Sequence, residues 1–197
     1  MRSFLPFSLV AISAAWFGFS ASSMPAVAQS VESVAGEAIA SKNRQLLQQG
    51  IAAQSRGDYT AAEAAYREAV RLNPSDAVSY YNLGNALADQ AKIEAAIAAY
   101  RSALKLNPDD ANTYYNLGYW LNHQGKVEEA ISAYREAARL SPYEADTYYN
   151  LGILLSGQAQ FEEAEVILRR ALLLAPDNAS GHRYLGVVLE QKKRYRN

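Results

Sequence analysis

The sequence has 197 residues and almost balanced charge, with 19 Lys and Arg against 20 Asp and Glu and a formal net charge of −1. This balance argues against a nucleic-acid partner and against a polybasic membrane patch, because both need an excess of basic side chains. With no cysteine, the chain can form no disulfide, thiol nucleophile or cysteine-ligated zinc site, and its two histidines leave little scope for imidazole chemistry.

The first 28 residues have the pattern of a cleavable secretory signal. Arg2 supplies a positive start, residues 4–19 are mostly apolar, and an Ala-Val-Ala cleavage site stands at 26–28. We therefore expect a periplasmic or secreted bacterial protein with no stable membrane insertion after signal cleavage. The alternative is a membrane anchor formed by an uncleaved N-terminal segment, although the apolar run is short and interrupted for a span that needs about 20 residues.

A leader at residues 29–42 comes next, and the sequence leaves open whether it is a flexible linker or an added helix. Beyond it, the sequence Tyr-Tyr-Asn-Leu-Gly begins at residues 80, 114 and 148, a period of 34 residues. A fixed period of this length indicates an array of stacked units. Aligning on the motif gives units at 43–76, 77–110, 111–144 and 145–178, followed by a partial unit or capping helix at 179–197.

Each unit shows the apolar periodicity of two helices. In the second unit, one helical face carries Tyr80, Leu83, Gly84 and Leu87. After a turn at residues 90–92 a second apolar stripe follows, so each unit is predicted to be a pair of antiparallel helices. A proline ends every second helix, because proline disfavours the α conformation in the residue before it. These prolines are Pro74, Pro108, Pro142 and Pro176.

The repeat also predicts caps and close contacts. Asp76, Asp110 and Asn178 are good N-cap residues for the first helices, whereas Glu144 is a weaker one. A glycine inside a helix costs about 1 kcal/mol relative to alanine, so the repeated glycine predicts a close approach between helices. The glycines are Gly84, Gly118 and Gly152, and the small residues expected opposite them are Ala96, Ala130 and Ala164.

These motifs resemble the tetratricopeptide repeat family, whose unit places an aromatic residue, Leu-Gly, a large apolar residue, Ala, an aromatic residue, Ala and Pro in fixed order. The second unit matches with Tyr80, Leu83-Gly84, Leu87, Ala96, Tyr100, Ala103 and Pro108, and the third with Tyr114, Leu117-Gly118, Leu121, Ala130, Tyr134, Ala137 and Pro142. Leu168 replaces the second aromatic in the fourth unit, and the first unit is degenerate at its start. The resemblance implies an all-α fold, a superhelical solenoid of antiparallel helix pairs, with no enzymatic activity.

The resemblance further implies that the first helices line a concave groove that binds an extended peptide. Asparagine offers both a donor and an acceptor to a peptide backbone, and tyrosine offers a flat amphipathic contact. The predicted peptide-binding residues are Tyr81, Asn82, Asn85, Asn112, Tyr115, Asn116, Tyr119, Tyr149 and Asn150. The alternative is that these Asn and Tyr residues only satisfy the repeat pattern.

Other candidate sites carry less signal. His123 and His182 lie nearly two units apart, so the sequence predicts neither a metal site nor a cofactor. Trp120 is predicted to pack between units, because Ala86 and Leu154 occupy its place in neighbouring units. The second helices carry acids near their starts and bases near their ends, which matches the helix dipole and favours a solvated outer face over a docking surface.

From this pattern we expect a non-catalytic adaptor or scaffold that binds an extended segment of a partner protein in the Asn/Tyr groove. The alternative is a structural assembly factor that oligomerises, or organises an envelope or membrane complex, through its ends or convex face. The C-terminal segment is one such end. Its basic tip favours a capping helix, whereas a helix that leaves Val188 and Leu189 uncovered could instead pair with a second copy in a homodimer.

Overall fold

The computed structural model describes residues 26–196, all of which lie in helices or in the turns that connect them. The helices are α1 (Ala26–Ser55), α2 (Tyr59–Leu72), α3 (Ala77–Ala88), α4 (Ile93–Leu106), α5 (Ala111–His123), α6 (Val127–Leu140), α7 (Ala145–Gly157), α8 (Phe161–Leu174) and α9 (Ala179–Arg196). The chain divides into two units, one ending at Gln45 and one beginning at Leu46.

The described part of the unit that ends at Gln45 is the start of α1. The leader at 29–42 is therefore helical, which decides between the two alternatives left open by the sequence. Side chains from Ser33 to Lys42 are exposed. The predicted signal at 1–28 falls almost entirely outside the described residues. Within the described part of the chain, no helix is both long enough and apolar enough to cross a membrane.

The unit that begins at Leu46 is an α-helical solenoid. Three helix pairs form as the sequence predicts: α3 with α4, α5 with α6, and α7 with α8. Between pairs, α2 packs against α3, α4 against α5, and α6 against α7, while α9 packs against α8 and α7. Each pair thus buries its apolar stripe against its neighbours, as expected for a repeat array.

One large side chain from the second helix fills the centre of each unit. Tyr66, Tyr100 and Tyr134 are at most 1% exposed, and Leu168 takes the same place in the fourth unit with no exposure. The glycine predicted to allow close approach faces this residue. A Cβ on Gly84 would lie 2.6 Å from Tyr100 Cε1. The tight contact is therefore between glycine and this central side chain, in addition to the buried alanines named from the sequence.

The turns between the two helices of each unit require a left-handed residue. Positive φ angles occur at Gly57 (76°), Ala91 (56°), Gly125 (72°) and Ala159 (57°), which occupy the same place in the four units. Glycine adopts this conformation without a Cβ penalty, whereas alanine does not. Two of the four turns are thus strained by an alanine.

The caps of the first helices agree with the sequence prediction. Asp76 accepts a hydrogen bond from Val78 N at 3.2 Å, and its other oxygen accepts from Ser79 Oγ at 2.5 Å. Asp110 is bonded in the same way, whereas Glu144 makes no side-chain cap hydrogen bond. The start of α7 therefore lacks a contact that α3 and α5 have.

The outer surface carries ionic links between second helices of successive units. Arg101 pairs with Glu129 at 2.5 Å, and Arg135 pairs with Glu163 at 2.8 Å. All four side chains are about half exposed, so each pair contributes roughly 0.2–1 kcal/mol. The charge gradient of the second helices thus serves packing between units.

Glu63 on α2 is the most buried acid of this surface, with 11% of its side chain exposed. It accepts hydrogen bonds from Lys92 Nζ at 2.7 Å, Arg67 Nε at 2.8 Å and Gln90 Nε2 at 2.9 Å. Burial alone raises the pKa of Glu63, but these bonds outweigh burial and lower the pKa to about 2. The carboxylate therefore stays charged and ties α2 to the following unit.

The last described helix, α9, packs against α8 and α7. Val188 is fully buried, so it is not uncovered as the homodimer alternative requires. Leu189 is 38% exposed and Val187 46% exposed. Lys192 reinforces the contact with α8 through Glu165 Oε2 at 2.8 Å. The packing of α9 on α8 and α7 therefore covers Val188.

Candidate functional site

The repeated Tyr and Asn residues of the first helices form a hydrogen-bonded ladder across units. Asn116 Nδ2 donates to Tyr81 Oη at 3.4 Å and to Asn85 Oδ1 at 3.1 Å. One unit further, Asn150 Nδ2 donates to Tyr115 Oη at 3.1 Å. The amide donors of Asn116 and Asn150 therefore join neighbouring units, while their carbonyl oxygens remain available as acceptors.

The Asn–Tyr hydrogen bond is missing at both ends of the ladder, because one of its two residues is replaced there. Asn82 has Leu47 in place of the tyrosine, and its amide makes no hydrogen bond to the described residues. At the other end Tyr184 stands in the asparagine position, and its ring meets Tyr149 edge-on at 5.8 Å. Asn82 therefore keeps its whole carboxamide free, unlike the two asparagines that follow it.

A first cavity of about 350 Å³ opens where α3 and α5 adjoin the end of α1. Tyr119 at its edge is 47% exposed and meets Trp120 edge-on at 4.9 Å, and His123 lies 5.6 Å from Trp120 on the other side. The lining residues are Gln54, Asn85, Ala88, Asp89, Tyr100, Tyr115, Asn116, Tyr119 and Trp120. The cavity thus combines aromatic walls with amide groups and one carboxylate.

Trp120 was predicted to pack between units, and that is only part of its role. It is half-buried against the core, yet it also lines the first cavity. The neighbours in register, Ala86 and Leu154, are buried at 0% and 8% exposure and suggested a purely structural residue. The sequence signal for a second role is the size of Trp120. An indole is too large to be fully covered at a place where the preceding unit carries only Ala86.

A second cavity of about 180 Å³ lies between α5, α6 and the start of α7. It is lined by Ala111, Asn112, Tyr115, Ala137, Ser141, Glu144, Asp146 and Thr147. Tyr115 borders both cavities, so its phenol forms a shared wall. A ligand long enough to enter both cavities passes this side chain.

Two tyrosines of the site, Tyr100 and Tyr115, have a raised pKa. Burial, then the negative charge of Asp146, raises the pKa of Tyr115, although the bond from Asn150 lowers it in part. Burial also raises the pKa of Tyr100, with smaller contributions from Tyr81 and Asp89. These phenols therefore remain hydrogen-bonding hydroxyls at neutral pH, and Tyr100 donates to Asn85 Oδ1 at 2.8 Å.

The structure brings five of the nine predicted residues to the two cavities. Asn85, Tyr115, Asn116 and Tyr119 line the first, and Asn112 joins Tyr115 in the second. The other four residues, which are Tyr81, Asn82, Tyr149 and Asn150, do not line either cavity. Tyr81 and Asn150 take part in the ladder, and Tyr149 packs on α9. Asp89 has a groove position in the sequence pattern, as the predicted residues do. The cavity residues missed from the sequence include Gln54, Ala88, Ser141, Glu144 and Thr147, which lie near helix ends or in turns.

The two histidines have different surroundings. His123 packs beside Trp120, and His182 Nε2 lies 2.7 Å from the Pro176 carbonyl oxygen. Over residues 26–196, no three His, Asp or Glu side chains are grouped closely enough to hold a metal ion.

Profiles of known protein families match most of the solenoid. Two profiles described as tetratricopeptide repeat match residues 81–145 and 121–185, and one described as TPR repeat matches residues 54–91. No curated protein matches the sequence.

Solved structures share the fold at low sequence identity. MamA from Desulfovibrio magneticus RS-1 has a TM-score of 0.72 and 24% identity, over 77% of this chain and 86% of that one. YrrB, described as a TPR protein with an unusual peptide-binding site, has a TM-score of 0.70 and 21% identity over 75% and 76%. The pilF protein of Pseudomonas aeruginosa has a TM-score of 0.68 and 23% identity over 80% and 72%. With the repeat motifs, the matching profiles and this shared fold together, the chain belongs to the tetratricopeptide repeat family.

Proposed function

We propose that this protein is a non-catalytic scaffold that binds an extended segment of a partner protein along the two cavities bordered by α5. Tetratricopeptide repeat proteins are protein-interaction modules, and YrrB is a relative in fold whose description names a peptide-binding site. The observation that carries the proposal is that Tyr115 borders both cavities, so one extended segment that enters both has to pass only this side chain.

The hydrogen-bonding groups in and beside the two cavities suit a peptide backbone. In the first cavity the carbonyl oxygen of Asn116 can accept, and outside the cavities Asn150 offers a carbonyl oxygen and Asn82 a whole carboxamide. A backbone presents one N–H and one C=O per residue, so a row of amides satisfies it without reading side chains. The aromatic rings of Tyr115 and Tyr119 add contact area that loses little entropy on binding.

Site-specific photocrosslinking tests this function. A photoreactive phenylalanine derivative at Tyr119 places the probe in the first cavity, and the same derivative at Ala98, exposed on α4, places it on the outer face as a matched control. We expect adducts from Tyr119 that map to one segment of one partner, and none of that partner from Ala98. Adducts of the partner at Ala98 alone would show that the groove is not the binding surface.

The asparagines provide a second test, because Asn116 is hydrogen-bonded to other side chains of the described residues and Asn82 is not. Asn82→Ala removes an amide that bonds to no described residue, so we expect weaker partner binding and an unchanged or slightly raised unfolding midpoint. Asn116→Ala removes the bonds to Tyr81 and Asn85 as well, so it is expected to lower both binding and stability. Unchanged binding in Asn82→Ala, with Asn116→Ala losing only stability, would mean that the ladder is purely structural.

A second function, assembly through the convex face, has its own supporting observation. On α8, Val166 is 66% exposed and Leu173 is 70% exposed. The equivalent places on α6 carry Ser132 and Arg139. An apolar pair at solvent positions favours contact with another protein surface. Placing the same photoreactive residue at Leu173 distinguishes this function from groove binding.

Export of the protein is part of the proposal. The N-terminal signal pattern supports a periplasmic or secreted location, with membrane anchoring by an uncleaved segment as the alternative. N-terminal sequencing of the protein recovered from the periplasm or medium is expected to begin at Gln29. A start at residue 1 or 2 in a membrane fraction would support the anchor.

A further inference from the structure

The acids that line the two cavities have no basic partner among the described residues. Asp89 lines the first cavity, and Glu144 and Asp146 line the second. No Lys or Arg stands among the lining residues of either cavity, and none of these three carboxylates forms an ion pair with the described residues. By contrast, Glu129 and Glu163 on the outer face are each paired with an arginine.

The one described hydrogen bond to Asp89 leaves its charge intact. Gln54 Nε2 donates to Asp89 Oδ2 at 2.7 Å, and an amide fixes the carboxylate without neutralising it. The field of this carboxylate reaches the cavity wall, where it raises the pKa of Tyr100 after the larger effect of burial. Asp146 acts on Tyr115 in the same way in the second cavity. Both cavities are therefore lined by carboxylates and by no Lys or Arg side chain of the described chain.

The aromatic walls of the first cavity favour the same kind of ligand. A cation within about 6 Å of an indole or phenol face is attracted by the ring quadrupole. Tyr119 and Trp120 stand edge to face at the cavity, with Tyr119 half exposed. A planar guanidinium stacks on such rings and also pairs with a carboxylate, which is a combination that no neutral or acidic side chain can use.

We propose that the groove selects a partner segment that carries two basic side chains, one for each cavity, on either side of Tyr115. This inference rests on the proposed function. The basic side chain in the first cavity contacts Asp89 and the Tyr119–Trp120 pair, and the one in the second cavity contacts Glu144 and Asp146. The backbone between them runs past Tyr115 and the free carbonyl oxygen of Asn116.

Charge-matched peptides measured against the full chain test this selectivity. The probes are fluorescein-labelled twelve-residue peptides in a Ser/Val/Thr host, with two Arg separated by two, three or four residues. Matched peptides carry citrulline, which keeps the shape and loses the charge, or Glu at the same places. We expect the best Arg peptide to bind about tenfold or more tighter than its citrulline form by fluorescence anisotropy, with added salt weakening only the Arg peptide.

Variants locate the effect. Asp89→Asn is expected to weaken the Arg peptide about three- to tenfold and to leave the citrulline peptide unchanged. Glu129→Gln removes an acid of the outer face and serves as the matched control, because it should change neither affinity. Trp120→Leu is expected to weaken the Arg peptide more than the citrulline peptide.

The outcomes separate this inference from the function it rests on. Equal affinity for Arg, citrulline and Glu peptides would overturn the charge selectivity and leave peptide binding in the groove intact. If Glu129→Gln abolished the preference for Arg and Asp89→Asn did not, the site that binds Arg would lie on the outer face. That result would also overturn the charge selectivity of the groove. Absence of partner adducts at Tyr119 in the crosslinking experiment would refute groove binding itself.

Discussion

Replacing Ala91 by glycine is expected to stabilise the solenoid. Ala91 lies in the turn between α3 and α4 with φ at 56°, a left-handed conformation that costs an L-residue with a Cβ about 1–2 kcal/mol. Glycine removes this strain, but it also gives the unfolded chain more freedom, which offsets about 0.4–1 kcal/mol. The middle of these two ranges gives an expected net gain in the free energy of unfolding of about 0.8 kcal/mol for Ala91→Gly, and the same for Ala159→Gly.

The same substitution at another place supplies the control. Ala98 is exposed in the middle of α4, where Ala→Gly has no strain to relieve and costs about 1 kcal/mol. The reverse change at the equivalent turn, Gly125→Ala, introduces a Cβ at φ of 72° and is expected to cost about 1 kcal/mol. The sign of the change in the free energy of unfolding is thus predicted to depend on the φ angle at the substituted position. The same Ala→Gly exchange should stabilise where φ is positive and destabilise inside a helix.

Urea denaturation followed by circular dichroism measures these changes, and hydrogen exchange of the α3 and α4 amides shows whether the gain is local. The second measurement matters because repeat arrays can unfold in parts, so that one global midpoint understates a local effect. A lower free energy of unfolding in Ala91→Gly, of the size seen in Ala98→Gly, would refute the idea that the turn is strained.

Three further predictions concern other contacts. Glu144→Asp supplies the missing cap of α7, with Thr147 placed to donate to the new carboxylate as Thr113 does to Asp110, and should raise the free energy of unfolding by about 0.5–1 kcal/mol in urea denaturation. Glu63→Gln should lower the free energy of unfolding by at most about 2–3 kcal/mol above pH 5. Because the folded pKa of Glu63, about 2, lies below the ordinary 4.5, its stabilising contribution is complete above about pH 4.5 and disappears as the pH falls towards 2. A constant difference in stability between pH 7 and pH 2 would contradict this prediction. Gly84→Ala should destabilise by about 1–3 kcal/mol, whereas a Cβ on Gly118, 3.2 Å from its nearest ring atoms, should cost less, and equal losses would refute the packing argument.

The helices could be predicted from the sequence because the repeat shows the same signals several times. The stripe that starts at Ile93 coincides with the first residue of α4, and the helix ends at Leu106, two residues before Pro108. Apolar period, caps and prolines are all local, so a single sequence contains them. The fold followed from these local signals and from the resemblance they carry.

The atoms available to a ligand could not be predicted, because they depend on contacts between units. Whether an asparagine is bonded is decided 35 residues away: Asn116 meets the hydroxyl of Tyr81, whereas Asn82 has Leu47 in that register. The burial of Val188 depends likewise on how α9 packs, which its own periodicity does not contain. Trp120 needed both kinds of information, since it is part of the core and part of a cavity.

In the second unit, a groove residue is tied to the residue at the centre. A buried phenol needs an acceptor for its hydroxyl, and Tyr100 donates to Asn85 Oδ1 at 2.8 Å. The acceptor differs from unit to unit, because Tyr66 at the centre of the first unit donates to Gln54 Oε1 at 3.2 Å instead. Where the central residue is Leu168, no acceptor is needed, and Ile153 stands in the place of Asn85. Exchanging Leu168 for tyrosine is therefore expected to need an acceptor beside it, such as Ile153→Asn, for the protein to remain stable.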